Sequence, residues 1–193
     1  MTSVRLEKVE DRFRERVELR WKSYALLMGR MEARAVTPHS RTSRAAASKA
    51  EPQAPFQAWE ESKPYVTSSL PALEAAKCAS LQGEEAFAAY HRALFKGLFV
   101  ESRDISDAEV LVAMAKEQDL DADRFRGDLD SRRQRVVVIG EHLEMLSEYG
   151  EAASGVPMVI IGGRDPIVGA APPDLYIRVI KRALEEGSAS PDG

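Results

Sequence analysis

Cysteine is nearly absent: Cys78 stands alone in 193 residues. One cysteine excludes an internal disulfide, a CxxC redox couple and a cysteine-based zinc site within these residues. Long apolar runs are missing too, and no stretch approaches the roughly 20 apolar residues a membrane-spanning helix needs. Neither sign of charge dominates. Lys and Arg number 27 against 31 Asp and Glu, a net charge of −4, which argues against nucleic-acid binding through bulk charge. Histidine is scarce, and His39, His91 and His142 form no pair at metal-ligand spacing. No metal or cofactor is expected. Residues 1–10 are charged from Arg5 onward and contain no apolar core of a secretory signal. The expected compartment is therefore the cytoplasm, with no membrane partner.

What remains can bury a core, since 44% of the residues are hydrophobic and 30% charged. The length suits one domain, or one domain carrying an insertion. Residues 1–34 open with a helix whose apolar face is Val4, Leu6, Val9 and Phe13. Val17, Leu19, Trp21 and Ser23 then alternate with Glu18, Arg20, Lys22 and Tyr24, which predicts a strand with one face buried. A short helix is expected in 25–34. Residues 35–67 read as loop and linker. Arg41, Arg44 and Lys49 occur there among Pro, Ser, Ala and Thr, with Arg34 just before, and no acid falls between Ala33 and Ala50. A solvated, mobile loop is expected rather than an anion or nucleic-acid patch, because no aromatic side chain interleaves the basic residues.

Residues 68–149 predict a block of helices. Ser68 or Ser69 caps the first, which runs through Leu73, Ala76 and Leu81 to Gly83. Phe87, Tyr90, His91, Leu94, Phe95, Leu98 and Phe99 recur at helical spacing. Asp104 or Ser106 caps the next helix and Asp121 or Asp123 the one after. A long helix over 132–149 is expected to bury Val136, Ile139, Leu143 and Leu146. Cys78 falls in this block and reads as a small core residue rather than a redox site.

Residues 150–187 change character. Gly155-Val156-Pro157 leads into an apolar strand over 158–161, a Gly162-Gly163 turn, a returning strand over 166–170 and a final helix opened by Pro172-Pro173-Asp174. Residues 188–193 form a polar tail. Gly162-Gly163 lacks the strand-then-helix setting of a phosphate loop. Pro157 cannot donate to a ladder and so belongs at the first strand position, with either a cis or a trans bond before it.

The run from Gly155-Val156-Pro157 through the hairpin to Gly169-Ala170-Ala171-Pro172 and an amphipathic helix resembles the C-terminal half of a thioredoxin-like domain. Ser69-Leu70-Pro71-Ala72-Leu73-Glu74, Tyr90-His91 with Leu94-Phe95, and Asp104-Ile105-Ser106-Asp107 resemble the helical insertion of the DsbA-like superfamily. They are most similar to its cytoplasmic FrnE-like branch of dithiol–disulfide isomerases, linked to polyketide biosynthesis. Residues 18–24 resemble that branch's second thioredoxin strand, and the likeness spans residues 3–186. It implies an α/β thioredoxin-like fold of the DsbA type with a large helical insertion and a cis Pro157. It also implies thiol–disulfide oxidoreductase or isomerase activity on protein or peptide substrates, held by the backbone of Gly155, Val156 and Pro157.

The family pattern opens with a strand and a CxxC at the start of the first helix, where the helix N-terminus lowers the attacking thiol's pKa. Here Thr2-Ser3-Val4-Arg5-Leu6-Glu7 resembles the residues just after that motif. The expectation is therefore an N-terminally truncated form without the first strand and the dithiol, with no catalytic residue assigned. A natural homologue lacking CxxC is the other reading. Such a chain would be a redox-inactive peptide or small-molecule binding module. A third is a glutathione-dependent isomerase or transferase relative, with Ser3 in the place of the thiol. An unpaired sheet edge predicts a homodimer formed by edge pairing.

Overall fold

The computed structural model describes residues 2–13, 16–29, 31–32, 36–54, 56–150, 155–164 and 166–188. Among these the order is α1 (Thr2–Phe13), α2 (Pro38–Ala50), α3 (Leu70–Ser80), α4 (Glu84–Phe99), α5 (Ala108–Glu117), α6 (Ala122–Ser131), α7 (Arg133–Tyr149), β1 (Met158–Val159), β2 (Ile167–Val168) and α8 (Pro173–Ser188). Two compact units result: residues 1–21 with 144–193, and residues 22–143.

The unit of 22–143 is helical. The small side chains of α3 (Ala72, Ala75, Ala76, Cys78 and Ala79) are buried and let it pack against α4, α5 and α6. Tyr90 of α4 is fully buried, and its hydroxyl donates to the Leu111 carbonyl at 3.0 Å. Phe125 of α6 lies 5.1 Å from its ring. Caps follow the sequence with two corrections. Asp121 accepts from the Arg124 N–H as expected, but Asp107, not Asp104 or Ser106, caps α5 by accepting from the Glu109 N–H. Asp104 instead accepts from the backbone and the hydroxyl of Ser106. At α3 the side chain of Ser69 makes no cap bond. Ser68 Oγ accepts from the Leu70 N–H, and Ser69 Oγ from that of Leu27.

Three further expectations are corrected. The expected loop of 35–67 contains α2, capped by Thr37 and opened by Pro38. Periodicity does not reveal α2, because its interior is Ala, Ser and Arg; capping and alanine propensity form it. The basic run is not solvated throughout. Arg44 is buried, donates to the carbonyls of Gln57, Leu98 and Phe99, and lies over the rings of Trp59 and Phe99 at 5.5 and 5.3 Å. Arg34 lies outside the described residues. No helix occurs in the described part of 25–34. That backbone bonds instead to residues 67–69, with the Met31 N–H donating to the Thr67 carbonyl and the Ser69 N–H to the Leu27 carbonyl. The long helix also turns a different face inward. Val138, His142 and Met145 are buried, while Val136 and Leu143 are 75% and 56% exposed.

The rotation of α7 within this unit is set by charge. Arg135 donates to Glu74 at 2.6 Å, and Lys77 to Glu141 at 2.6 Å. The second oxygen of Glu141 accepts from the Ser23 N–H at 2.7 Å. Burial works to raise the Glu141 carboxyl, but the Lys77 ammonium and the Ser23 N–H outweigh it and hold the group below its usual range.

In the unit of 1–21 and 144–193, α1 packs on α8 through Leu6, Val9, Phe13, Tyr176 and Ile180. Met158 pairs with Val168 and Val159 with Ile167, antiparallel. Gly162 and Gly163 hold φ +59° and +68° in the connection, a conformation that favours glycine. The expected strand over 17–24 is corrected: it joins no ladder among the described residues. The alternation itself is present, since Val17, Leu19 and Trp21 are half-buried against the α1–α8 core while Glu18, Arg20 and Lys22 are exposed. Period-two burial needs only one apolar face, whereas a strand also needs a hydrogen-bonding neighbour. Of the polar tail, residues 189–193 lie outside the described set.

Two outcomes test this packing. Arg44→Met keeps the aliphatic stem but leaves the Leu98 and Phe99 carbonyls without their charged donor, and should cost about 2 kcal/mol in urea unfolding. His91 lies between Phe87 and Phe95, with ring centroids 5.2 and 4.8 Å away. Burial, helped by Arg92, lowers its pKa from 6.5 to about 4. The folded chain therefore favours the neutral ring, and the stability this confers is complete above pH 6.5 and lost as pH falls toward 4. Melting temperatures measured across that window should fall further for the wild type than for His91→Phe.

Candidate functional site

Gly155, Val156 and Pro157 enter β1 together, in the unit of residues 1–21 and 144–193. The Val156–Pro157 peptide is cis. Val156 is 41% exposed and Val168, on β2, 48% exposed, which leaves two apolar side chains open to solvent at the turn. A Cβ at Gly155 would lie 2.5 Å from Val168 Cγ1, so a larger residue there forces the Val168 side chain to shift. The turn is fastened from behind. The Pro157 carbonyl accepts from the Gly169 N–H at 2.7 Å. Gly169 holds φ +87°, and the two residues after it are held by side chains of α1 and α8. Arg5 donates to the Ala170 and Ala171 carbonyls, both at 2.9 Å. The Ala171 N–H donates to the Tyr176 hydroxyl at 3.2 Å.

Arg5 and Tyr176 are the residues that sequence reading missed. Arg5 is 8% exposed and falls on the apolar stripe of α1, between Thr2 and the Leu6–Val9–Phe13 face. A charge inside an apolar stripe is a signal that a buried acceptor awaits it. Tyr176 is fully buried at helical spacing from Ile180, and its hydroxyl is the part that periodicity cannot read.

Cys78 lies in the other unit, on α3, fully buried and free. Burial, then the Asp128 and Glu74 carboxylates, push its thiol up to about 12. A thiol in that state supplies no nucleophile at neutral pH. The thiol is thus a core residue, as its sequence setting predicted. His39 lies in α2. His142 packs against Tyr24, with centroids 4.7 Å apart, and its Nδ1 has no hydrogen-bond partner among the described residues. Ser3 is half-buried in the first turn of α1. No group of three or more His, Cys, Asp or Glu among the described residues is placed to hold a metal ion. No helix among them is long and apolar enough to cross a membrane.

Comparison with known proteins places this geometry. A candidate protein disulfide isomerase from Nitrosomonas europaea, known from its crystal structure, superposes with a TM-score of 0.72, covering 95% of this chain and 90% of that one at 17% identity. That likeness shows a shared fold. The ClpXP adapter protein SpxH of Bacillus licheniformis is 37% identical over 71 residues, which span 37% of this chain and 22% of that protein's length. The profile of the DSBA-like thioredoxin domain matches residues 1–181. With that match over most of its length, and with a mostly helical body beside one small hairpin, the chain belongs to the DSBA-like thioredoxin domain family.

Proposed function

We propose that the chain serves thiol–disulfide exchange on protein or peptide substrates in the cytoplasm, as a member of the FrnE-like branch. Gly155, Val156 and Pro157 form its substrate-binding edge. The observation that supports this reading is the pair of exposed apolar residues Val156 and Val168 at the Gly155–Pro157 turn, with the Pro157 carbonyl committed to Gly169. An extended substrate segment can pair with such an edge as an added strand. Exchange proceeds when a thiolate attacks a substrate sulfur, expels the other sulfur as a thiolate and leaves a mixed disulfide, which a second thiol resolves. Neither thiol is among these 193 residues, since Cys78 is alone and protonated. The reading therefore requires a dithiol supplied from outside them, as in a longer native form.

A second reading, a peptide-binding module without redox chemistry, uses the same edge and is favoured by the inert Cys78.

The test is the protein isolated from its own cells, by intact mass and by reshuffling of a scrambled disulfide substrate. The expected mass exceeds 21.3 kDa, with peptides carrying CxxC and measurable isomerase activity. Gly155→Val should cut that activity at least tenfold by driving its side chain into Val168, and Cys78→Ala should leave it unchanged. A form with no exchange activity that still binds extended peptides would select the second reading. Activity indifferent to Gly155→Val would remove the proposed edge. Arg5→Met, which leaves two carbonyls without their donor, should lower stability by about 2 kcal/mol and weaken peptide binding in the same assays.

A further inference from the structure

Residues 17–21 have the burial period of a strand and no strand beside them. Val17, Leu19 and Trp21 are half-buried against the core of α1 and α8, and Glu18 and Arg20 face solvent. Among the described residues, the backbones of Val17, Glu18, Leu19 and Arg20 make no hydrogen bond. Backbone donors and acceptors are obligatory bonding groups, and an open strand edge is a template for a further strand. Such an edge specifies its partner more closely than an apolar face does, since another extended backbone offers donors and acceptors at matching intervals.

The charges beside this edge narrow the partner further. Arg20 donates to Glu18 on the exposed face, from Nε at 2.7 Å and from Nη2 at 2.8 Å. That pair leaves Nη1 of Arg20 unused. Val17-Glu18-Leu19-Arg20-Trp21 thus carries one acid and one base placed symmetrically about Leu19.

We propose that residues 17–21 of two copies of the chain pair as antiparallel strands about a two-fold axis at Leu19. The inference uses residues of one compact unit and does not rest on the thiol chemistry above. A two-fold contact demands a self-complementary surface, and this segment is one. Glu18 of each copy lies opposite Arg20 of the other, Leu19 opposite Leu19, and Val17 opposite Trp21. Glu18 and Arg20 take the hydrogen-bonded positions, so their N–H and C=O groups exchange four bonds across the axis. Leu19 takes the position between them, where facing side chains come closest. The two ion pairs meet as a ring of four alternating charges. Each group keeps its present partner and gains a second, Arg20 through Nη1. Val17 on Trp21 is a β-branched and aromatic pair, a favourable cross-strand combination. The neighbouring registers fail. A slip of one residue sets apolar side chains against charged ones. The next antiparallel registers centre on Glu18 or on Arg20 and set like charge on like charge. Arg16 and Lys22, both exposed, face each other next in line and end the ladder at residues 17–21. A contact this short belongs to the weak, transient class.

The test is sedimentation equilibrium on the full chain, with cross-linking to read the register. A dimer is expected at sub-millimolar concentration. Glu18→Arg and Arg20→Glu should each weaken it at least tenfold with an unchanged far-UV circular dichroism spectrum. An equimolar mixture of those two variant chains should associate as the wild type does, because every acid again faces a base. In a Cys78→Ala chain, Leu19→Cys should form an intermolecular disulfide with oxidised glutathione, since such facing positions bring Cα atoms to about 4.5 Å, within disulfide reach. Val17→Cys, which faces Trp21, should not. A wild type that stays monomeric at millimolar concentration overturns the proposal. So does a dimer that persists through both charge reversals, and so does one in which Val17→Cys cross-links as readily as Leu19→Cys.

Discussion

Two charges on α3, three residues apart, govern the helical unit of residues 22–143. Glu74 has only 3% of its side chain exposed, and its partner is Arg135. Lys77 pairs with Glu141, both under one-fifth exposed. A carboxylate or ammonium taken out of water is tolerable only when paired and hydrogen-bonded, and breaking such a pair by removing one partner is far more costly than never having built it. The value of these pairs therefore lies in what they forbid. A turn of α7 by one residue position, about 100°, would carry Arg135 and Glu141 away from α3 and strand both of its charges. The same turn would bring Val136 or Leu143 inward, as apolar content alone would favour. The phase of α7 is thus decided by electrostatics against a competing hydrophobic alternative. Its second apolar stripe is left outside as a consequence.

The other unit solves a related problem with one charge. Arg5 is buried, and the backbone carbonyls of Ala170 and Ala171 both accept hydrogen bonds from its guanidinium. Charged donors to backbone acceptors are among the stronger hydrogen bonds in water-poor sites. Here they pin the residues just after Gly169, whose own N–H holds the Pro157 carbonyl. The conformation after the Gly155–Pro157 turn is set in this way by a side chain from the first helix and a hydroxyl from the last. The hairpin alone, two residue pairs long, would not hold it, since an isolated short hairpin is marginal in water.

This division explains what sequence reading reaches and what it does not. Existence and type were readable for α3 to α6 and for α8 from apolar spacing, with Asp121 the cap on which sequence and structure agree. The place of Pro157 at the start of a strand was readable from proline chemistry, and its cis bond from the family resemblance. Features failed where the deciding partner is distant in sequence. Val17 to Lys22 has the period of a strand, but a ladder needs a neighbour that periodicity cannot report. α2 has no apolar period and is held by Arg44 reaching carbonyls more than fifty residues away. In α7, Val136, Ile139, Leu143 and Leu146 made the better apolar stripe. The true inward face contains His142, and its charges matter only once Glu74 and Lys77 are known to oppose them. Arg5 was missed for the same reason, since an arginine in an apolar stripe announces a buried acceptor without saying which.

The remaining question is what a member of this family can do with one inert thiol. Recognition and exchange make different demands. Exchange needs a sulfur whose anion is stabilised, by a helix N-terminus or a nearby cation. Cys78 has the opposite surroundings, apolar neighbours and two carboxylates, and its thiol is pushed up to about 12. The site is fully buried among the alanines that let α3 pack. Recognition by strand addition needs only backbone N–H and C=O groups presented at a fixed angle beside an apolar surface. Under the proposed reading, the backbone of Gly155 and Val156 beside Val168 would meet that demand without a thiolate, the Pro157 carbonyl being taken by Gly169. The two demands can therefore be met by different residues. Any exchange reaction draws its two sulfurs from elsewhere, while the edge that would hold a substrate is already braced by Gly169, Arg5 and Tyr176.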